Sequence, residues 1–382
     1  MNVDTIQVVL GGYIGHEDIP DNVTHVQFCP SVEDIDKNAF YCCKSLREVI
    51  LNDGLRQIGE SAFSGCSSLQ SINIPSTVTK IGESAFFNCK GLKEVVLNEG
   101  LGEIGRSAFH NCKLQRILIP STVTEISYSA FRGCANLRDV VLNNGLKEIG
   151  SNAFDRCSSL QSISLPWTVN DVGQNAFAYC SSLREVVLND GIKRIKSRTF
   201  HNCLSLQSIV IPPTVVEIEK YAFNNCSRLS EVVIYNERIQ IGDTVFTNCT
   251  LLERFKFPRL SARLDHIIQA GQRGIEAKMD DIPAVEWRDG ELSVRAGHRN
   301  TGIYLDKEKL VKVEELLTYY EMKEATTLFE LALWKASIDQ AEAASTDREA
   351  CQIEVPGPVK DTILQYLLGT AAPTGNRLLL PS

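Results

Sequence analysis

The stretch Ile149-Gly150-Ser151-Asn152-Ala153-Phe154-Asp155-Arg156-Cys157-Ser158-Ser159-Leu160 decides the fold, because it recurs with small changes over the first 258 residues. Its phenylalanine returns every 23 residues, except for one interval of 22 residues. The ten anchor phenylalanines are Phe40, Phe63, Phe86, Phe109, Phe131, Phe154, Phe177, Phe200, Phe223 and Phe246. A fixed period of this length indicates a solenoid, in which each repeat buries its apolar face on its neighbours.

Each repeat has three parts. A Leu-x-x-Val/Ile-x-Leu/Ile segment, such as Leu46 to Leu51, alternates apolar and polar residues and predicts a short strand. A turn follows, in which Asn motifs such as Asn52-Asp53-Gly54 alternate with Pro motifs such as Pro75-Ser76-Thr77. The return segment, Ile-Gly-x-x-Ala-Phe-x-x-Cys, is too short for a full helix. We expect it to form a single helical or 3₁₀ turn centred on Ala-Phe.

Charges on the strands follow the alternation of the turns. One outward position is basic only on every second repeat, with Gln on the repeats between, and its basic members are Arg47, Lys93, Arg138 and Arg184. Neighbouring parallel strands lie about 4.8 Å apart, so like charges on every repeat would repel each other. The skipped spacing therefore predicts a solvated outer face.

The phrases Ile74-Pro75-Ser76-Thr77-Val78-Thr79-Lys80-Ile81-Gly82-Glu83-Ser84-Ala85-Phe86 and Cys89-Lys90-Gly91-Leu92 resemble the leucine-rich repeats of the BspA type. The resemblance covers roughly residues 20 to 258. It implies a curved, right-handed solenoid with a parallel β-sheet on the concave side and short turns on the convex side. Bacterial members of that family are often surface proteins used in adhesion, and the family offers no catalytic residues to carry over.

The pattern divides the chain into four segments: an N-terminal cap at 1–22, BspA-type repeats at 23–258, a helical module at 259–370 and a flexible tail at 371–382. In the cap, Ile6 to Leu10 predicts a strand that covers the first coil. In the module, apolar spacing predicts helices over Leu260 to Ile268, Lys307 to Glu321 and Ala325 to Gln340, and a helix start at Gly357-Pro358. The expected fold is a leucine-rich-repeat solenoid with a small C-terminal α-helical module that caps the stack.

Composition limits the classes of partner. The net charge of −8 argues against a nucleic acid or an anionic membrane, which usually select a basic face. No apolar run approaches the roughly 18 residues that span a bilayer, so we expect no membrane insertion. The stretch from Met1 to Leu10 lacks a basic region and includes Asp4, which predicts a cytoplasmic protein without a signal peptide.

Ten cysteines occupy one column: Cys43, Cys66, Cys89, Cys112, Cys134, Cys157, Cys180, Cys203, Cys226 and Cys249. Tetrahedral zinc needs four converging ligands, and a disulfide needs side chains that point toward each other, whereas a ladder holds its side chains parallel. We interpret the column as small buried hydrophobic groups beside the phenylalanines. His110 and His201 lie four repeats apart and cannot share a metal. We expect no cofactor, no small-molecule substrate and, since no catalytic group assembles, no enzyme.

The outward strand position between the last two apolar residues is the candidate site. It carries two runs of three apolar side chains, which would form strips on the concave sheet rimmed by an acidic column, as in protein interfaces. The apolar members are Val96, Leu118, Val141, Val187, Val210 and Val233, and the acids are Glu94, Asp139, Glu185 and Glu231. The alternative is that β-branched residues simply suit strands.

These observations favour a non-catalytic scaffold that binds a protein partner on the concave leucine-rich-repeat face. Two other functions stay open. The chain could be an exported cell-surface adhesin or recognition protein, or an enzyme whose active site lies in the C-terminal module.

Overall fold

The computed structural model describes residues 7–10, 19–20, 22–270, 274–288, 290–299, 302–305 and 307–343. The chain separates into two compact units. One comprises Met1–Arg259 with Ser293–Asp306, and the other comprises Leu260–Leu292 with Lys307–Ser382. The four segment boundaries expected from the sequence remain predictions, as does the capping role of the module.

The first unit is a parallel β-solenoid in which each repeat makes one turn, here called a rung. The Leu-x-x-Val/Ile-x-Leu/Ile segments form a ladder of short parallel strands, and identical repeat positions lie side by side, as Leu118 does beside Val141. Its outward surface is called the strand face below. Its strands are Gln7–Leu10, His25–Phe28, Glu48–Ile50, Ser71–Asn73, Glu94–Val96, Arg116–Leu118, Asp139–Val141, Ser162–Ser164, Glu185–Val187, Ser208–Ile211, Glu231–Ile234 and Arg254–Lys256. The solenoid predicted from the sequence is confirmed.

A second parallel ladder lies in the same rungs, after the turns, and the sequence analysis did not predict it. Nine of its ten strands end on a buried Ile or Val, and a glycine follows six of the ten strands. A Cβ at Gly105 would lie 2.7 Å from the carbonyl oxygen of Ile81. The glycine therefore allows neighbouring rungs to approach closely. The strands are Asp34–Ile35, Gln57–Ile58, Lys80–Ile81, Glu103–Ile104, Glu125–Ile126, Glu148–Ile149, Asp171–Val172, Arg194–Ile195, Glu217–Ile218 and Gln240–Ile241.

The return segments are not helical in the described repeats, so the expected helical or 3₁₀ turn is wrong. Two residues of each segment have left-handed φ, for example Asn152 at 58° and Arg156 at 63°. Alternate N–H groups leave the segment: Phe154 donates to the carbonyl of Ala176 on the next rung (2.8 Å), whereas Asp155 donates back to Asn152 (3.1 Å). A helix would keep all these bonds within the segment, and the rungs would lose this pairing.

The ten anchor phenylalanines form a single stack in the core. All are buried, and successive ring centroids lie 5.0 to 5.6 Å apart with interplanar angles of 11° or less. Phe28 meets Phe40 edge-on at one end, and Phe255 meets Phe246 edge-on at the other. The stack is therefore closed at both ends by aromatic rings at inward strand positions where the neighbouring repeats carry aliphatic residues, such as Leu51 for Phe28 and Val232 for Phe255.

Both ends of the strand-face ladder carry an added strand. Gln7–Leu10 pairs in parallel with His25–Phe28, which confirms the predicted N-terminal strand. At the other end, residues 293–295 pair antiparallel with Arg254–Lys256. The sequence analysis predicted no strands after residue 258, but the structure has Val285–Arg288, Glu291–Arg295, Gly297–Arg299 and Gly302–Tyr304.

The second unit contains most of helix α1 (Pro258–Gln269), together with α2 (Ile275–Asp280) and α3 (Lys307–Ala343). Helix α1 confirms the helix predicted from residue 260 to 268. The two helices predicted between 307 and 340 are wrong as separate elements, because the linking Met322-Lys323-Glu324 contains no helix breaker and α3 is continuous. Arg263 of α1 forms a bidentate pair with Glu321 of α3, at 2.8 and 2.9 Å. The helix start at Gly357 and the tail lie outside the described residues.

No helix in the described part of the chain combines the length and apolar character that a membrane crossing needs.

Candidate interaction faces

The predicted apolar strip lies in one column of the strand face. Five of its six side chains are exposed by 36 to 49%, and the sixth, Val233, is half-buried. Paired positions on neighbouring rungs are Leu118 with Val141, and Val210 with Val233. Polar Ser164 separates the two runs, since it lies beside Val187 in the register. These valines and the leucine point away from the core, so their apolar character is not required for packing.

The predicted acids lie one column away on the same face. Glu94, Asp139 and Glu185 are exposed, whereas Glu231 is half-buried and forms an ion pair with Lys256 (2.9 Å). Each acid has a neutral or basic neighbour in the register, as Glu94 has Ser71 and Asp139 has Arg116. The predicted skipping of rungs by like charges is confirmed on this face.

Two further exposed apolar residues lie outside the predicted strip. Ile50 occupies the strip position of an earlier rung and is 48% exposed. Trp167 is 74% exposed, on the turn that follows Ser164. The sequence already indicated an unusual exposed aromatic residue here, because Trp167 occupies the turn position at which the two preceding Pro turns carry Ser76 and Ser121.

A second face was missed. We call it the return face, the four positions that lie three and two residues before each anchor phenylalanine and one and two residues after it. Near the middle of the stack it carries three arginines whose guanidinium groups lie over tyrosine rings. The pairs are Arg106 with Tyr128, Arg156 with Tyr179 and Arg198 with Tyr221, at 4.6, 4.6 and 5.2 Å from the ring centroid.

One buried carboxylate lies within the return face. Asp155 has a side chain only 7% exposed, and its Oδ2 accepts a hydrogen bond from Nε of Arg132 (2.8 Å). Nε of Arg156 lies 3.8 Å from the same oxygen. Removing a carboxylate from water is costly unless it is paired, and the two guanidinium groups supply that pairing.

Two histidines of the return face, His110 and His201, directly follow an anchor phenylalanine and are half-buried. His110 packs on Phe87 and His201 on Tyr179, with centroids 4.9 and 5.2 Å apart. Burial lowers the pKa of both histidines, and the nearby Arg132 and Arg198 respectively lower it further. Both rings are therefore favoured in the neutral form.

The cysteine column is buried, as predicted, and all ten thiols are free. Besides packing as the small hydrophobic groups expected from the sequence, most of these thiols also donate a hydrogen bond. Sγ of Cys157 donates to the carbonyl of Phe131 on the preceding rung (3.3 Å), and the same bond recurs from Cys66 to Cys249. Burial raises the pKa of Cys89 and of Cys134 to about 12, so these thiols stay protonated.

A stacked array of short rungs, with a buried aromatic column and exposed side chains in register, defines a leucine-rich-repeat solenoid. The family comparison agrees with that class. The profile of the BspA type leucine rich repeat region matches residues 20–138, 102–227 and 147–267. The chain belongs to the BspA-type leucine-rich repeat family.

Solved structures show similar proteins. A leucine-rich repeat protein from Bacteroides ovatus is 30% identical over 66% of this chain and 67% of its own, with a TM-score of 0.58. A leucine rich cell surface protein from Faecalibacterium prausnitzii is 27% identical over 62% of this chain and 79% of its own, with a TM-score of 0.39. The pneumococcal vaccine antigen PcpA is 22% identical over 63% and 70%, with a TM-score of 0.43. A search of curated proteins found no significant match.

Proposed function

We propose that this chain is a non-catalytic interaction scaffold that binds a protein partner on the strand face. The supporting observation is the apolar strip, whose members lie one per rung in two runs of three on either side of Ser164 and point away from the core. A column of Val and Leu beside a column in which acids alternate with Ser or Arg matches the mixture of apolar centre and polar rim found in protein interfaces.

The hydrogen-bonded ladder gives this face a fixed geometry. Backbone bonds join successive rungs even between the short strands, as Gln115 N–H donates to Lys93 (3.2 Å) and Arg138 N–H to Gln115 (2.9 Å). A rigid surface loses little conformational freedom on binding, which favours affinity. Exposed Trp167, beside the gap at Ser164, adds an aromatic group of the kind that dominates interface energetics.

The experiment compares two double variants. Val141→Lys with Val187→Lys places two charges in the strip, where an apolar contact would have to desolvate them. Val216→Lys with Leu204→Lys is the matched control, since these two residues are similarly exposed but lie off the strand face. Both variants should keep the thermal melt of the wild type.

The readout is recovery of proteins from the lysate and from the surface extract of the source cells. Loss of a captured protein with the strip variant, together with its retention by the control, is the expected result. Equal capture by both variants would overturn the proposal. The source fraction that contains the partner also tests the predicted cytoplasmic location against the exported alternative.

A further inference from the structure

Positive charge is concentrated on one part of the return face. In the six rungs from Phe109 to Phe223 this face carries five cationic residues, Arg106, Arg132, Arg156, Arg198 and Lys220, and a single acid, the buried Asp155. At the same positions the outer rungs carry Lys37, Glu60, Glu83 and Asp243. The chain, whose net charge is −8, therefore has a localised cationic surface. Acids border it: Glu219 accepts a hydrogen bond from Ser197 N–H (2.9 Å), and the second ladder of these rungs carries acids such as Glu125.

The arginines of this surface are held in place by neighbouring groups. Three guanidinium groups lie over tyrosine rings of the next rung, and Arg132 is bonded to Asp155. A guanidinium held over a ring can still donate N–H groups to a carboxylate, and the contact with the ring lowers the entropy lost on binding. Nε of Arg156 also lies 3.8 Å from Oδ2 of Asp155, so part of the guanidinium charge is already paired. Tyr and Arg are also the residue types enriched in interface hot spots.

The three Arg–Tyr pairs recur on every second rung. The steps between anchor rings are 5.4 and 5.3 Å from Phe109 to Phe154, and 5.4 and 5.6 Å from Phe154 to Phe200. The rungs that carry neighbouring pairs are thus about 11 Å apart, measured between their anchor rings. An α-helix rises about 5.4 Å per turn, so two turns span about 10.8 Å and match this interval.

An extended peptide matches less well. Three residues of a strand span about 10 Å, and the mismatch grows with each further pair. The lateral positions also suit a helix, because Arg106 and Arg198 precede their anchor phenylalanines whereas Arg156 follows its own. A rod lying along the stack would have arginines on both flanks.

We propose that the return face of these six rungs binds an acidic α-helix of a partner protein, lying along the stack with carboxylates on every second turn. This surface is distinct from the strand face, and its occupant is recognised by charge and by helical pitch. The chain would thus contact partners on two faces of each rung.

The test uses two helical peptides of about 20 residues, long enough to be helical in isolation. One carries a Glu-Glu pair at every seventh residue, and its isomer has the same composition with all Glu residues contiguous. Binding to the full chain is followed by fluorescence anisotropy at low salt, where charge pairs are least screened. The spaced peptide should bind more tightly than the isomer.

The triple variant Arg106→Gln, Arg156→Gln, Arg198→Gln should weaken binding of the spaced peptide by roughly tenfold or more, since three charge pairs are lost. The matched control, Arg47→Gln, Arg138→Gln, Arg184→Gln, removes three exposed arginines from the strand face and should stay within about twofold of wild type. The corresponding triple Lys variant keeps the charge but replaces each planar guanidinium by an ammonium group, and should bind with intermediate affinity while folding normally.

Four results would each overturn the proposal: no binding of the spaced peptide, equal binding of the isomer, equal losses in both Gln variants, or preference for a sulfated polysaccharide over the spaced peptide. The last result would assign the face to an anionic glycan. The thermal melting curve of the Lys variant shows whether a loss of peptide binding results from unfolding. Each binding result can therefore be interpreted.

Discussion

The interior and the exterior of the same rungs follow different rules. Inside, every rung places Phe in the aromatic stack and Cys beside it, and the ring spacing varies by only 0.6 Å over ten rungs. Outside, one strand position changes from Ile50 to Asn73 to Val96, and one return position changes from His110 to Arg132 to Asp155. The interior must repeat because each ring packs on its neighbours, whereas outer positions are free to differ and can carry specificity.

The two ladders also space charge differently. On the strand face acids skip rungs, but the second ladder places Glu103, Glu125, Glu148 and Asp171 on four consecutive rungs. The outer two are paired, Glu103 with Lys80 at 3.0 Å and Asp171 with Lys196 at 2.8 Å. The structure shows no ion pair for Glu125 or Glu148 within the described residues. The rule of skipped charges therefore holds for one face only.

The largest expected effect tests the interior. Phe154→Ala removes a fully buried ring from the middle of the stack and leaves a cavity between two neighbouring rings. We expect the free energy of unfolding to fall by about 3 to 5 kcal/mol. Chemical denaturation measures the loss, and a change below about 1 kcal/mol would show that the rings contribute little to stability.

A smaller interior effect is expected at the thiol column. Cys157→Ser replaces a buried thiol by a more polar hydroxyl on a shorter bond, which fits the contact with the carbonyl of Phe131 less well. We expect a loss of about 1 to 3 kcal/mol, because the hydroxyl is desolvated without an ideal partner. Ser158→Ala is the neighbouring control and should cost less, because Ser158 is half-buried and its hydroxyl makes only a long bond to the carbonyl of Ala135 (3.3 Å). Similar melts for both variants would mean that this thiol position tolerates polarity.

Stability should depend on pH through the return face. The folded pKa of His110 and of His201 lies below the ordinary value of 6.5, so the unfolded chain binds more protons in that interval. The contribution of the two neutral histidines to the free energy of unfolding is complete above about pH 6.5. It is lost as pH falls through that value toward the lowered pKa. The variant His110→Asn with His201→Asn should lose less stability than wild type between about pH 7.5 and pH 5.5. Parallel curves for the two proteins would contradict this assignment.

The smallest effect compares the two ladders directly. Glu125→Gln with Glu148→Gln removes like charges from adjacent rungs and should raise the free energy of unfolding by less than about 1 kcal/mol. Glu94→Gln with Glu185→Gln, where acids skip rungs, should give no gain. The difference should shrink as salt is added, since both ladders are exposed. A gain in the second pair alone would reverse the comparison.

The sequence by itself determined the solenoid, its period and its core, because a side chain that stacks on its own copy must recur at the same position in every repeat. Phe154 and Cys157 could be assigned to the interior for that reason. It also indicated the outward strip around Val141, since alternation along a strand separates inward from outward residues.

Only the tertiary structure decided what lies between those positions. The return segment was expected to be helical, but pairing between rungs and left-handed residues such as Asn152 made it a non-helical turn. The pairing of Arg254–Lys256 with residues 293–295 joins segments that are distant in the sequence. The repeat pattern could not predict it, because residues 293–295 lie outside the repeats. The return face combines Arg106 with Tyr128 and Arg156 with Tyr179 from different repeats, so their contact emerges only when the rungs stack.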